Sequence, residues 1–280
     1  MSVRVRDVVM GQLDALRHEP TEKRIRATLG DVTVVDSTRA LLVWEPKRVV
    51  PTYALPLGDV AGEIFTDAPV AEEGPVGAPA TGASHLGHRL VYDPSVPFSA
   101  HTTEGAAVIV RVAGVDRDVA AFRPADPDLA DYLLLDFDAF DAWYEEDERN
   151  VAHPRDPFHR IDVLHGSRHV RVELDGVVLA ESTSPYLLFE PPLPVRYYFA
   201  VQDVHMELLE PSDRLTYCAY KGEASYFSVG DQRDLAWRYR QPLHDAAEVA
   251  DRIAFFDERA DVIVDGVRGE RPITPWSPRD

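Results

Sequence analysis

Apolar and polar residues alternate along most of the chain, in short runs broken by turn residues. Residues 24–45 (RIRATLGDVTVVDSTRALLVWE) carry apolar side chains at alternate positions on both sides of Gly30-Asp31 and read as a hairpin. Residues 169–190 (HVRVELDGVVLAESTSPYLLFE) read the same way, and Asp175-Gly176 is a dipeptide that a type I′ turn prefers. The runs YLLFE and RYYFAV continue the strand pattern around the Pro191-Pro192-Leu193-Pro194 break. Helical periodicity is scarce. Residues 8–17 predict one short amphipathic helix, with Val8, Leu13 and Leu16 placed to dock on a domain. The stretches before Leu135 and Ile253 look helical for a turn or two. The expected fold is mainly β: small antiparallel domains, sandwich-like or tent-like, with few short helices.

The two hairpins are more than alike. Residues 24–45 lie on residues 169–190 without a gap. The match resumes with residues 53–60 on 197–204 and closes with residues 128–143 on 248–263. A repeat this long predicts two related folding units and not a solenoid, whose periods run to about 20–50 residues. The expected division is a helical extension over 1–22, a first domain over 23–148 and a second over 149–280. Residues 66–84 are rich in Pro, Gly and Ala, lack periodicity and read as a mobile surface loop. The second domain has no such insertion. Residues 145–160, polar and Pro-bearing, are expected to join the domains, and the tail ERPITPWSPRD to run across a surface.

At 280 residues, 45% of them hydrophobic, the chain is long enough for two ordinary cores. Its 22 prolines favour short strands and turns. With 48 acids against 29 Lys and Arg, the formal net charge is −19. That charge repels phosphate backbones, and no basic stripe offsets it, so no nucleic-acid partner is expected. Cys218 is the only cysteine, which excludes an internal disulfide and a cysteine-based zinc cluster. No apolar run reaches the length of a membrane span, so no membrane partner is expected either. Residues 1–26 lack the apolar core of a signal peptide, and cytoplasmic residence is the expectation. The sequence leaves any cofactor unidentified.

The repeat supplies an internal control. A scaffold should be alike in both domains, while a single site should survive in one. Glu45 and Glu190, Tyr53 and Tyr197, and Asp59 and Asp203 are kept in both. Around the second domain's glycine the sequence is Thr216-Tyr-Cys218-Ala-Tyr220-Lys221-Gly222, with Tyr226, Trp237 and Tyr239 beyond it. Aligned on Gly105, the first domain puts His101 for Cys218 and Glu104 for Lys221; Trp237 falls on Ala121, and Arg196 faces Thr52. The unequal set is chemically coherent: a thiol three positions from a lysine, aromatic rings for a planar ligand, and an arginine for an anion.

These residues resemble a known family. Glu190, Arg196-Tyr197-Tyr198, Asp203-Val204, Cys218, Lys221-Gly222, Trp237, Tyr239 and Phe255-Phe256 together are similar to the pattern of the DUF427 family, whose reaction is unknown and which is also labelled nucleotidyltransferase-like. The family's Cys-Pro-Tyr-Lys-Gly stands here as Cys218-Ala219-Tyr220-Lys221-Gly222, which puts the rigidity of that turn in question. The resemblance implies a tandem pair of small, mostly β domains, the first degenerate. It does not imply a reaction.

Cys218 and Lys221 are therefore the candidate catalytic residues, either as a cation-activated nucleophile or as inert core. Glu190, Arg196, Tyr198, Asp203, Tyr220, Tyr226, Trp237 and Tyr239 are the candidate ligand-binding residues. Glu190 and Asp203 could instead be salt-bridge anchors of Arg196 or turn caps, and Trp237 and Tyr239 could be core. His85 and His88, with His153, His159, His165 and His169, hint at metal but lack fixed acidic partners, so no metal site is expected. The leading expectation is a small anionic or planar molecule in a pocket of the second domain. Its rivals are a non-catalytic binding or scaffold protein and, by family label alone, a nucleotidyltransferase-like enzyme. Against the latter, there is no Gly-rich phosphate loop.

Overall fold

The computed structural model describes residues 2–65 and 83–278. The stretch expected as a mobile loop therefore lies outside the described residues, apart from Ala83 and Ser84. Two compact units are present: unit 1 holds residues 1–84 and 90–156, and unit 2 holds residues 85–89 and 157–280.

Unit 1 opens on helix α1 (Val5–Gly11), followed by β1 (Arg17–Pro20), β2 (Ile25–Leu29), β3 (Val32–Ser37), β4 (Leu41–Trp44), β5 (Thr52–Pro56) and β6 (Glu63–Phe65). After the short pair β7 (Ala83–Leu86) and β8 (Arg89–Tyr92) come β9 (Gly105–Arg111), β10 (Val119–Pro124), β11 (Tyr132–Leu135), β12 (Ala142–Glu145) and β13 (Glu148–Asn150). Unit 2 comprises β14 (Asp162–His165), β15 (Val170–Leu174), β16 (Val177–Ser182), β17 (Tyr186–Phe189), β18 (Arg196–Tyr198) and β19 (Glu210–Cys218). It ends with β20 (Gly222–Val229), β21 (Gln232–Tyr239), β22 (Ile253–Phe255), β23 (Asp261–Val264) and β24 (Val267–Arg268). The fold is mainly β, with antiparallel sheets, as the alternation predicts. No helix among the described residues is long and apolar enough to cross a membrane.

Unit 1 has a seven-stranded sheet in the order β1-β4-β5-β11-β10-β9-β6 and a four-stranded sheet β13-β12-β2-β3. Unit 2 has the strips β14-β17-β18 and β19-β20-β21-β22 and the sheet β16-β15-β23-β24. Its two strips meet where Phe199 and Ile253 exchange backbone hydrogen bonds of 2.8 and 2.9 Å. The order across that seam is the one found in unit 1. A register break falls between Ala27 and Thr28 in the first hairpin and between Val172 and Glu173 in the second.

Side chains along a strand alternate between faces, so each large sheet has an inner and an outer layer. In unit 2, Phe199, Phe227, Ala236 and Phe255 point inward to meet Val170, Val172, Leu179 and Ala180 of the smaller sheet. Their neighbours Tyr198, Tyr226, Trp237 and Ala254 form a second, outer layer with Leu188, Tyr239 and Phe256. In unit 1 the outer layer is mostly aliphatic: Leu41, Val43, Ala54, Leu129 and Leu134 surround Phe122, with Tyr132 packed against them and the His101 ring stacked on Phe122.

Three expectations need correction. The N-terminal helix spans Val5–Gly11 with no buried residue, and Arg17 already pairs with Trp44 as β1. Leu13 is buried after the helix ends, so residues 17–20 belong to the sheet and not to an extension. The polar segment 145–160 is no simple join: Glu148–Asn150 returns on β12 as a hairpin, with Glu148 and Arg149 exposed and Asn150 buried against Tyr53, and the division falls after Asp156. The tail does more than cross a surface, because Thr274 is buried at 3% exposure and hydrogen-bonds Glu258.

The Asp175-Gly176 turn has φ of +51° and +82°, the signs a type I′ turn requires. Gly176→Ala should cost roughly 1 kcal/mol, read as a lower urea midpoint with an unchanged m-value; an unaltered midpoint would contradict the turn assignment.

Candidate functional site

The candidate site is built where β17 ends and β20 begins. Glu190 follows β17 and is buried at 7% exposure; Lys221 immediately precedes β20 and is buried at 8%. Gly222 opens β20 with φ +88°, a conformation an L side chain rarely adopts, so the chain can turn and leave Lys221 facing inward. Lys221 Nζ donates to Glu190 Oε2 at 2.5 Å. His159 Nε2 lies 3.2 Å from Glu190 Oε1 and must be the donor there, since an ionised carboxylate only accepts. The His159 ring is tilted against Tyr220, with centroids 4.8 Å apart. Tyr220 N points at Cys218 Sγ across 3.5 Å, and Cys218 is half-buried.

Burial alone would raise the Glu190 pKa; the Lys221 charge and the hydrogen bonds from His159 and Lys221 outweigh it and hold the group down at about 2. Burial would likewise lower Lys221, but the negative fields of Cys218, Glu190 and Tyr198 prevail and its pKa is raised. Lys221 is therefore a fixed cation and not an amine that gives up its proton. Tyr198 is pushed up to about 12, first by burial, and stays a neutral phenol that accepts from Trp237 Nε1 at 3.1 Å. Burial also raises Tyr239 well above the ordinary phenol range.

Arg196 stands on the same outer layer with different partners. Its two Nη atoms donate to the two carboxylate oxygens of Glu258 at 3.0 and 2.6 Å, and Asp257 is a further ion-pair partner. The guanidinium lies 5.6, 5.7 and 5.6 Å from the ring centroids of Trp237, Phe256 and Trp276. Arg196 thus has a closed set of partners, and neither Glu190 nor Asp203 anchors it. Asp203 lies elsewhere, accepting from Ser182 Oγ at 2.7 Å.

The structure accordingly brings Cys218, Lys221, Glu190, Tyr220, Tyr198 and Tyr239 into one cluster. Trp237, hydrogen-bonded to Tyr198, carries it on to Arg196, while Tyr226 stacks on Phe256 and Asp203 belongs to a separate cleft. The sequence reading of Trp237 against Ala121 is displaced by one position: Trp237 pairs with Ala254 as Phe122 pairs with Leu134, so Phe122 is its counterpart. His159, Glu258 and Thr274 were missed. His159 appeared only as a metal hint, and among the described residues no three His, Cys, Asp or Glu side chains gather around a metal-sized site.

Unit 1 solves the equivalent problem with other groups. Glu45, after β4 and buried at 1% exposure, accepts from His101 Nδ1 at 3.0 Å and from the backbone N–H groups of Thr102 and Thr103 at 2.9 and 3.2 Å. The buried Arg48 is 3.9 Å away.

The family described as a domain of unknown function, DUF427, matches residues 162–266. The matched segment runs from β14 to β23 and includes the whole outer-layer cluster apart from His159 and the tail. A search of curated proteins finds no match to the chain.

Two stability predictions follow from these pairs. Glu190 has a folded pKa below its ordinary 4.5, so its contribution is present above about pH 5 and lost as pH falls toward about 2. The raised pKa of Lys221 makes its contribution present below the ordinary 10.5 and lost as pH rises beyond. In acid titrations followed by urea unfolding, Glu190→Gln should flatten the slope between pH 5 and pH 2 by about 3 kcal/mol in total; an unchanged slope would refute the pairing. Arg196→Met should cost about 3–5 kcal/mol by stranding the Glu258 carboxylate, and Arg196→Met with Glu258→Met should recover most of it.

Proposed function

We propose that unit 2 is a small-molecule-binding domain whose site is the Lys221 cluster, and that unit 1 is a second, altered copy of the same domain serving as scaffold. The observation that carries the site is the hydrogen-bond inventory of Lys221. Its ammonium has three N–H donors, its side chain is only 10% exposed, and one acceptor, Glu190, is within reach among the described residues. A buried donor without an acceptor is uncommon in a finished structure. A ligand oxygen is what the two remaining donors call for. Cys218 and His159, the latter with its side chain 20% exposed, are the members of the cluster that touch solvent and through which such a group would arrive.

The ligand is therefore small and anionic at one end, with Tyr220 and the His159 ring offering it a planar surface. Tyr198, Trp237, Tyr239 and Arg196 position the cluster from behind, Arg196 through Glu258. Lys221 acts as the fixed cation. Cys218 is the only thiol and the nucleophile in any turnover that the site supports. The copy reading for unit 1 is supported by the common strand order, the matching register breaks and a buried glutamate at the same strand end.

The scaffold alternative has one feature in its favour. The edge strand β19 exposes Leu215 and Tyr217 at 54% and 55%, a surface another strand could join. A nucleotidyltransferase reading has no comparable support, since the chain lacks a phosphate-cradling loop.

A thermal-shift panel of mono- and dicarboxylates, inorganic phosphate and nucleotides on the full chain separates these readings. At least one anion should raise the melting temperature by about 2 °C or more, in keeping with binding to the native state alone. The charge-neutral pair Lys221→Gln with Glu190→Gln should abolish that rise. No responding anion, or a rise that persists in the pair variant, would defeat the proposal.

A further inference from the structure

Unit 2 has a cleft of about 650 Å³, away from Lys221, lined among others by His165, Ser182, Ser184, Tyr186, Asp203 and Arg252. At its base, Ser182 Oγ donates to Asp203 Oδ2 at 2.7 Å and accepts from Ser184 N at 3.0 Å. Unit 1 contains the same clasp. Ser37 Oγ donates to Asp59 Oδ2 at 2.6 Å and accepts from Arg39 N at 3.0 Å. There the clasp is completed by a cation: Arg39 Nη2 donates to Asp59 Oδ1 at 2.5 Å and Arg39 Nε to Asp59 Oδ2 at 3.2 Å. Those hydrogen bonds, with the one from Ser37, hold Asp59 below the usual carboxylate range.

Arg39 and Ser184 occupy the same place, two residues beyond the clasp serine, so unit 2 lacks the completing guanidinium. Ser184 Oγ is instead 2.7 Å from His165 Nε2. Among the described residues no cationic side chain lies within ion-pair distance of Asp203, and its Oδ1 has no hydrogen-bond partner. A cation is nevertheless present in the lining. The Arg252 guanidinium lies 4.1 Å over the Tyr186 ring, and its Nε donates to Glu248 O at 3.0 Å, leaving both Nη groups without an acceptor among the described residues. The cleft thus has an unanswered carboxylate and an unanswered guanidinium, within a volume ordinary for small-molecule sites of about 300–1,000 Å³.

We propose that this cleft binds a small zwitterionic guanidinium compound of the free-arginine type, with its guanidinium on Asp203, where unit 1 seats Arg39, and its carboxylate on Arg252. Fork-to-carboxylate pairing gives both ends directional recognition. The formal charge of −19 favours approach of the cationic end. A ligand with a cation alone would meet Arg252 unfavourably, and one with an anion alone would meet Asp203.

Calorimetric titration of the full chain with L-arginine, agmatine and L-citrulline tests the assignment. L-arginine should bind saturably, with agmatine (no carboxylate) and L-citrulline (no charge on the terminal group) each at least tenfold weaker. Asp203→Asn should weaken L-arginine at least tenfold. Ser184→Arg should abolish binding, because the introduced side chain would take the seat itself, and unit 1 already accommodates that arrangement without loss of fold. Absence of saturable L-arginine binding, equal binding of agmatine or L-citrulline, or binding that survives Ser184→Arg would overturn the proposal.

Discussion

A carboxylate buried at the end of the same strand in both units has to find donors, and the donors it finds decide what each unit can do. An ionised carboxylate removed from water costs several kcal/mol unless it is paired and hydrogen-bonded. Unit 1 meets that cost for Glu45 with a histidine and two backbone N–H groups, with a buried arginine nearby. The histidine and the two N–H groups are directed at the carboxylate, while the Arg48 Nη groups donate to the carbonyls of Val96, Pro97 and Ala100. Unit 2 meets it for Glu190 with Lys221 and His159. An ammonium has donors to spare after one ion pair, and that surplus separates a closed structural contact from a binding centre.

The rest of the outer layer follows from keeping Lys221 buried and charged. Cys218, Glu190 and Tyr198 surround it with groups of negative field, while Arg196 is kept apart by its own carboxylates. Three aromatic rings close over the Arg196 guanidinium, and Thr274 ties Glu258 to the tail. Two buried cations on one sheet face would repel each other without separate counter-charges. Glu190 and Glu258 provide them. In unit 1 Thr52 stands in place of Arg196 and Glu104 in place of Lys221, and the layer is mostly aliphatic around Phe122.

The alternation of side chains made the strands and both hairpins legible, since a period of two is a local property. Asp175-Gly176 is legible for the same reason: the turn depends on two adjacent residues. Comparing the two halves of the sequence pointed to Lys221, because Glu104 in its place reverses the charge. The same comparison could not find Glu258, whose counterpart Asp138 is also acidic, and the 62 residues between Arg196 and Glu258 hide their pairing from any local pattern. His159 escaped because it approaches Glu190 across 31 residues from a polar segment that reads as a linker. The N-terminal helix was misplaced for a related reason. Residues 17–20 have little strand character of their own and become β1 only by pairing with β4.

The Lys221 cluster and the Asp203 cleft of unit 2 can be understood by the same rule applied to opposite charges. At Lys221 a cation retains donors after its carboxylate is satisfied; at Asp203 a carboxylate retains an acceptor after its serine is satisfied. In unit 1 the matching places differ: Arg39 closes the Ser37–Asp59 clasp, and Glu45 has no lysine beside it but a histidine, two backbone N–H groups and the Nε of Arg48 at 3.9 Å. Residual hydrogen-bonding capacity in a partly buried group is stabilising only when a ligand takes it up, so retaining it in the native state carries a cost that a purely structural layer has no reason to bear. Both surpluses lie in the unit that matches DUF427. The proposed recognition is therefore assigned to unit 2.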